Sequence, residues 1–231
     1  MLTITTPPPN PLVAASVLSA DFGRMADECR DVLDKGADLL HLDVMDGHFV
    51  PNLTMGRDMI AGLRQHFPGV YLDVHLMVER PGEYVEDFAA AGANMFSFHL
   101  EVTRSIRPDG EDAMQLIDRI HDAGMNAGMA INPPTAPDGL ERYLQHLELV
   151  LVMSVNPGRS GQKFMAHVLD KTRAIKDGLS GKTRLEMDGG ISPQTAGQAA
   201  AAGVDVFVTA SALFGSQNRG QLIDALHRVS G

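Results

Sequence analysis

The stretch Leu40-His41-Leu42-Asp43-Val44-Met45-Asp46-Gly47-His48 alternates apolar residues with His41 and Asp43, then runs into a glycine turn. Positions two apart share a face of a strand. His41 and Asp43 therefore point the same way, near a strand's C-terminal end. An imidazole beside a carboxylate can bind a divalent metal, and the carboxylate can also move protons. Taken alone, the stretch also fits a plainer reading, with Asp43 or Asp46 capping the next turn and His41 a hydrogen-bonded core histidine. The surrounding chain has to decide.

A rhythm extends in both directions from it. Eight apolar runs of strand length lie at 12–18, 38–44, 70–76, 94–100, 125–131, 149–155, 183–187 and 204–208. Amphipathic segments of helical character fill 21–35, 54–66, 81–91, 111–123, 136–146, 163–178 and 193–202, with a last one at 217–229. Gly36, Gly92, Gly124 and Gly203 stand where helices give way to strands, a place that favours the left-handed conformation. Pro81 and Pro193 mark helix starts. Strands alternating with helices pair in parallel. Eight such units predict one closed (β/α)8 TIM barrel over 12–231, preceded by an irregular arm at 1–11; a doubly wound open sheet is the alternative.

Composition narrows the function. The net charge of −10 argues against nucleic acid and anionic membranes as partners. A single cysteine, Cys29, leaves no intrachain disulfide and no cysteine metal cluster. No apolar run approaches membrane-spanning length, and the proline-rich arm lacks the basic start of a signal peptide. A soluble, cytoplasmic setting is expected.

In such a barrel, chemistry belongs at the C-terminal ends of strands. There the chain places His41 and Asp43 on strand two, His75 on strand three and Asp188 on strand seven. These two imidazoles and two carboxylates suit one divalent ion such as Zn²⁺, Fe²⁺, Mn²⁺ or Co²⁺. Gly158-Arg159-Ser160-Gly161 follows strand six, Gly189-Gly190 follows strand seven and Ala210-Ser211 follows strand eight. Small residues there let backbone N–H groups approach a phosphate. Met45, Met77 and Met153 also sit at strand ends, as core filling or as an apolar wall beside a reactive centre.

At this point the motifs resemble a known family. Leu42-Asp43-Val44-Met45-Asp46-Gly47-His48-Phe49-Val50-Pro51-Asn52, Asp73-Val74-His75-Leu76-Met77-Val78, Met153-Ser154-Val155-Asn156-Pro157-Gly158, Gly161-Gln162-Lys163-Phe164 and Asp188-Gly189-Gly190-Ile191 are similar, in order, to those of the ribulose-phosphate 3-epimerase family. The resemblance implies a TIM barrel of the ribulose-phosphate-binding type, an isomerase that interconverts D-ribulose 5-phosphate and D-xylulose 5-phosphate, and a homo-oligomer. It implies that His41, Asp43, His75 and Asp188 bind the metal and that Asp43 and Asp188 are the acid/base pair. Ser16 and His75 would touch substrate, and Met45, Met77 and Met153 would pack on the reacting carbons. Gly158, Arg159, Ser160, Gly161, Gly189, Gly190, Ala210 and Ser211 would surround the phosphate.

Three departures from the family pattern bear on the substrate: Ala15 for a usual proline, Arg159-Ser160 for Phe-Gly, and Ala210 for glycine. Arg159 either adds a cation near the phosphate or points to solvent. A 3-epimerase of another ketose phosphate, such as a hexulose 6-phosphate, and a non-catalytic sugar-phosphate-binding barrel remain open alternatives. A decarboxylase of the orotidine-phosphate type needs a lysine between carboxylates, and Asp43-Val44-Met45-Asp46 has none. Asp46, beside Gly47, reads as a loop-forming carboxylate.

Overall fold

Along residues 39–45, both the odd and the even positions are buried. A strand hidden on both faces belongs to a parallel sheet with helices outside and a filled interior. The computed structural model, which describes residues 2–6 and 10–229, has this arrangement. Pro7, Pro8 and Pro9 of the expected arm lie outside the described residues. Strands β1 (Leu12–Ser16), β2 (Leu39–Met45), β3 (Tyr71–Met77), β4 (Met95–His99), β5 (Asn126–Ile131), β6 (Leu149–Met153), β7 (Arg184–Asp188) and β8 (Val206–Thr209) close in that order into a parallel barrel. The open-sheet alternative is thereby excluded.

Helices α1 (Met25–Asp34), α2 (Arg57–His66), α3 (Val85–Ala91), α4 (Ala113–Asp122), α5 (Leu169–Gly178) and α6 (Ala196–Ala200) lie between strands, and α7 (Ser211–Phe214) and α8 (Arg219–His227) follow β8. The structure differs from the sequence pattern in two places. Segment 136–146 forms no α-helix, only 3-10 turns at Pro137–Gly139 and Leu144–His146. Pro137 suits a first turn, but Gly139 costs about 1 kcal/mol inside a helix, and the residues beyond it are too few to nucleate one. Tyr143 is instead anchored by its hydroxyl, 2.7 Å from Ser105 Oγ. The second difference is α7, a single extra turn directly after β8.

Strand alternation divides the apolar residues. Leu40, Leu42 and Val44 face outward, with Ile60, Phe96, Phe98 and Ile117, into the layer between barrel and helices. Inside, the lower half of the barrel is largely apolar: Leu12, Ala14, Leu39, Tyr71, Met95, Leu149, Leu151, Val206 and Val208 belong to one cluster. Ile4, from the N-terminal segment, is fully buried in that cluster and plugs the end opposite the candidate site. Among the described residues no helix is long and apolar enough to cross a membrane.

A plug of this kind has a measurable worth. Ile4→Ala should lower stability by about 2–5 kcal/mol, the usual cost of emptying a buried aliphatic site. The readout is the midpoint of urea unfolding. An unchanged midpoint would show that the segment adds nothing to the core.

Candidate active site and metal centre

Register builds the site. In the β2–β3 ladder His41 lies beside Asp73, Asp43 beside His75 and Met45 beside Met77. β1 sets Ser16 beside His41, and β6 sets Met153 beside Asp188. Because side chains alternate, Ser16, His41, Asp43, Asp73, His75, His99, Glu186 and Asp188 share the inward face. They fill the upper interior as the aliphatic residues fill the lower.

His41, Asp43, His75 and Asp188 each bring one nitrogen or oxygen within 4.8 Å of all the others. Asp43 is the hub. Its Oδ2 accepts a hydrogen bond from Ser16 Oγ at 2.6 Å. Its Oδ1 lies 3.0 Å from His75 Nδ1 and 3.5 Å from His41 Nε2. His41 Nδ1 is held by Asp73 Oδ2 at 2.5 Å, which turns Nε2 toward the cluster. That Nε2 is buried without a hydrogen-bond partner. A ring nitrogen braced by a carboxylate on one side and unpartnered on the other is the arrangement of a metal-ligating histidine. The donors, imidazole nitrogen and carboxylate oxygen, suit a divalent first-row metal.

The two inner aspartates are in opposite electrostatic states. Burial pushes Asp43 up, but the adjacent His41 and His75 outweigh it and hold the carboxyl well below the ordinary range. Burial and the charge of Asp43 push Asp188 up to about 7. Burial opposes protonation of His41, yet Asp73 and Asp43 raise it well above the usual imidazole value. His75 and His99 are lowered, chiefly by burial. Burial and the neighbouring Asp73 push Glu186 far up, so it keeps its proton.

Above the cluster is a cavity of about 310 Å³. Ser16, Asp43 and Asp188 line its floor, Met45, Met77 and Met153 its wall, and Gly158, Arg159, Ser160, Gly161, Gly189, Gly190, Ala210 and Ser211 its rim. His41 and His75 lie beneath the floor and do not line it. Glycine is required at 189 and 190. Both have positive φ, and a Cβ would meet Val155 N at 2.8 Å at position 189 and Phe164 N at 2.6 Å at position 190. The first turn of α7 leaves backbone N–H groups without helical acceptors at Ser211 and Ala212. Gln162 Nε2 braces the loop after β6 by donating to Asn156 O and Arg159 O, and Asn52 Nδ2 ties it to the β2 loop through Gly158 O at 3.0 Å. Asp46 shapes that second loop by accepting from the N–H groups of His48, Phe49 and Glu79. Thr209 turns away, donating to Ile191 O.

Four further polar groups at the strand ends carry no role in the sequence pattern alone: Asp73, Glu186, His99 and Glu101. Three of them have a signal: His99 closes β4 as a polar residue at its C-terminal end, and the other two follow from parity. Asp73 and Glu186 stand two residues before His75 and Asp188, so strand parity puts them on the same face one layer down.

Known proteins agree with this architecture. The model of the Ribulose-phosphate 3 epimerase family matches residues 12–214. The cytoplasmic isoform of ribulose-phosphate 3-epimerase from rice, Oryza sativa subsp. japonica, is 42% identical over 219 residues, covering 94% of this chain and 92% of that protein. The ribulose-phosphate 3-epimerase of Escherichia coli K12 is 41% identical over 218 residues, covering 93% and 94%. Among solved structures, 3-hexulose-6-phosphate synthase from Salmonella typhimurium superposes with a TM-score of 0.68 at 16% identity, over 94% of this chain and 97% of that one, a likeness of fold. With the family model spanning most of the barrel and relatives above 40% identity along nearly the whole chain, this protein belongs to the ribulose-phosphate 3-epimerase family and is an epimerase of the isomerase class.

Proposed function

We propose that the chain inverts C3 of a ketose phosphate, interconverting D-ribulose 5-phosphate and D-xylulose 5-phosphate, with one divalent ion held by His41, Asp43, His75 and Asp188. One observation carries the reading: two carboxylates of opposite protonation tendency, Asp43 and Asp188, reach one cavity floor from β2 and β7. Epimerisation beside a ketone removes a proton from one face of C3 and returns one to the other. It needs a base and an acid on either side of a planar enediolate. The bound ion would stabilise the charge on the enediolate oxygens as a Lewis acid.

The chain's own groups do the rest. Asp43, held ionised and oriented by Ser16, takes the proton, and Asp188 delivers one. A turnover leaves the two exchanged, so the reverse reaction starts from the other aspartate. Met45, Met77 and Met153 keep water from the reacting carbons. The phosphate sits against backbone N–H groups of Gly161, Gly190 and the start of α7. Arg159 is the only Lys or Arg lining the cavity among the described residues, and it supplies the one side-chain cation for the phosphate. A homo-oligomeric assembly and a cytoplasmic setting belong to the same reading. A cytoplasmic setting is in keeping with one buried, unpaired Cys29.

The direct test strips and restores the metal, then follows solvent deuterium into C3 of D-ribulose 5-phosphate. Exchange that is lost with chelation and regained with a divalent ion is expected. Absence of exchange with every ion tried, alongside exchange in a hexulose 6-phosphate, would move the assignment to that substrate. Asp43→Asn and Asp188→Asn should each lower kcat by about 10²–10⁴-fold, the usual range for a proton-transfer group.

Arg159→Ala should raise KM by roughly tenfold with kcat unchanged, about the worth of one charge-assisted hydrogen bond. It should also flatten the dependence of KM on salt. A KM equal to that of the parent would place the guanidinium in solvent.

The state of Asp188 predicts a pH effect on the metal-free protein. A carboxyl with its folded pKa raised to about 7 holds its proton more tightly folded than unfolded. That stability is full below the unfolded value and is lost as pH rises toward about 7. Asp188→Asn should therefore raise the melting temperature of the chelated protein by an amount that grows from pH 4 to pH 7 and then levels off. A pH-independent difference would rule out the raised pKa.

A further inference from the structure

Behind His75 runs a chain of buried polar contacts that the proposed reaction does not use. His75 Nε2 is 2.8 Å from His99 Nε2, and His99 Nδ1 is 2.9 Å from Glu101 Oε2. At the front, His75 Nδ1 is 3.0 Å from Asp43 Oδ1. Three contacts thus join carboxylate, imidazole, imidazole and carboxylate, while two neutral imidazoles carry only two N–H hydrogens.

We infer that Glu101 and His99 are positioning residues that hold His75 in the tautomer presenting Nδ1 to the metal. The assignment follows by counting hydrogens from the rear. An ionised carboxylate only accepts, so the hydrogen between His99 and Glu101 sits on His99 Nδ1. His99 Nε2 is then a lone pair, and the hydrogen between the two rings belongs to His75 Nε2. His75 Nδ1 is left bare, facing the four-residue cluster where a cation takes the place of the third hydrogen. The opposite order sets a bare nitrogen against the Glu101 carboxylate.

His41 reaches the same state by a shorter route. Its Nδ1 meets Asp73 directly, leaving Nε2 for the ion. The two imidazoles would therefore coordinate through different atoms, Nε2 of His41 and Nδ1 of His75.

The rear of the chain is fixed by further elements. Glu101 Oε1 accepts from the N–H of Asn132 at 2.8 Å, just beyond β5. Lys171 of α5 donates to the carbonyls of Asn132, Pro133 and Thr135, locking that turn. Phe49 packs on the His99 ring, with centroids 4.7 Å apart. The His75 tautomer is thus set by β4, β5 and α5, none of which supplies a metal ligand.

The inference rests on the metal-dependent reading, and the experiment separates the two. Zinc affinity is measured by chelator competition for the parent, His99→Gln and His99→Leu. Glutamine keeps an acceptor for His75 Nε2–H; leucine removes it. We expect His99→Leu to bind zinc about 10–100-fold more weakly, the usual cost of losing such a partner, and His99→Gln to stay within about threefold of the parent. Long-range ¹H–¹⁵N spectra of the histidine-labelled, zinc-loaded parent should show His75 protonated at Nε2 and metal-bound at Nδ1. Equal affinity in His99→Leu, or zinc on His75 Nε2, overturns the positioning role while leaving the metal reading intact. A parent that binds no divalent ion overturns both. If His99→Leu does not fold, the spectra of the parent decide alone.

Discussion

Asp43 is a carboxylate taken out of water, and such a group is tolerated only when other groups replace the solvent. Its replacements come from both neighbouring strands: the Ser16 hydroxyl from β1 and the His75 ring from β3, with His41 two residues away on its own strand. Each of these has a requirement of its own, and the requirement passes outward. His41 needs Asp73, Asp73 shares its surroundings with the protonated Glu186, and His75 needs His99 and Glu101. Satisfying one buried charge therefore specifies polar residues on β1, β2, β3, β4 and β7. Replacing any one of them by an apolar residue strands its neighbour.

The fold was legible because its signals are local and repeated. Eight apolar runs, glycines at helix ends and prolines at helix starts each reflect a conformational preference of a single residue, and the same pattern recurs around the barrel. The local pattern misleads where one signal conflicts with another. In segment 136–146 an apolar spacing suggestive of a helix competes with Pro137 and Gly139, and the backbone preferences prevail. α7 escaped notice because four residues are too few to show a period.

The site was legible to the depth of the strand ends. His41, Asp43, His75 and Asp188 announce themselves as polar residues interrupting apolar strands, and the structure brings all four together. The residues behind them were harder to see. Whether His99 reaches His75 depends on the β3–β4 register, in which His75 pairs with Ser97, two residues before His99. Register is a property of the closed sheet, and no single strand encodes it. Arg159 shows the opposite limit: its position in a rim loop was plain, but a loop side chain has no parity to say where it points.

The interior of this barrel is divided along its axis, and the division explains how it accommodates costly chemistry. The upper half holds like charges that repel, as the raised Asp188 and Glu186 record. A group kept from its preferred ionisation state destabilises the fold. The lower half is mainly aliphatic and aromatic packing, completed by Ile4 from the N-terminal segment. Its few polar groups are paired at the strand starts, Asn126 Nδ2 donating to Tyr71 Oη at 2.7 Å and Arg184 lying 3.3 Å from Asp205. The strands are continuous through both halves, so packing below fixes the register that aligns donors above. The apolar half thus does two things: it offsets the electrostatic cost of the polar half, and it holds Asp43 and Asp188 in register with each other. A substitution below should act on stability first and on turnover only through register, whereas one above should act on metal binding and proton transfer directly.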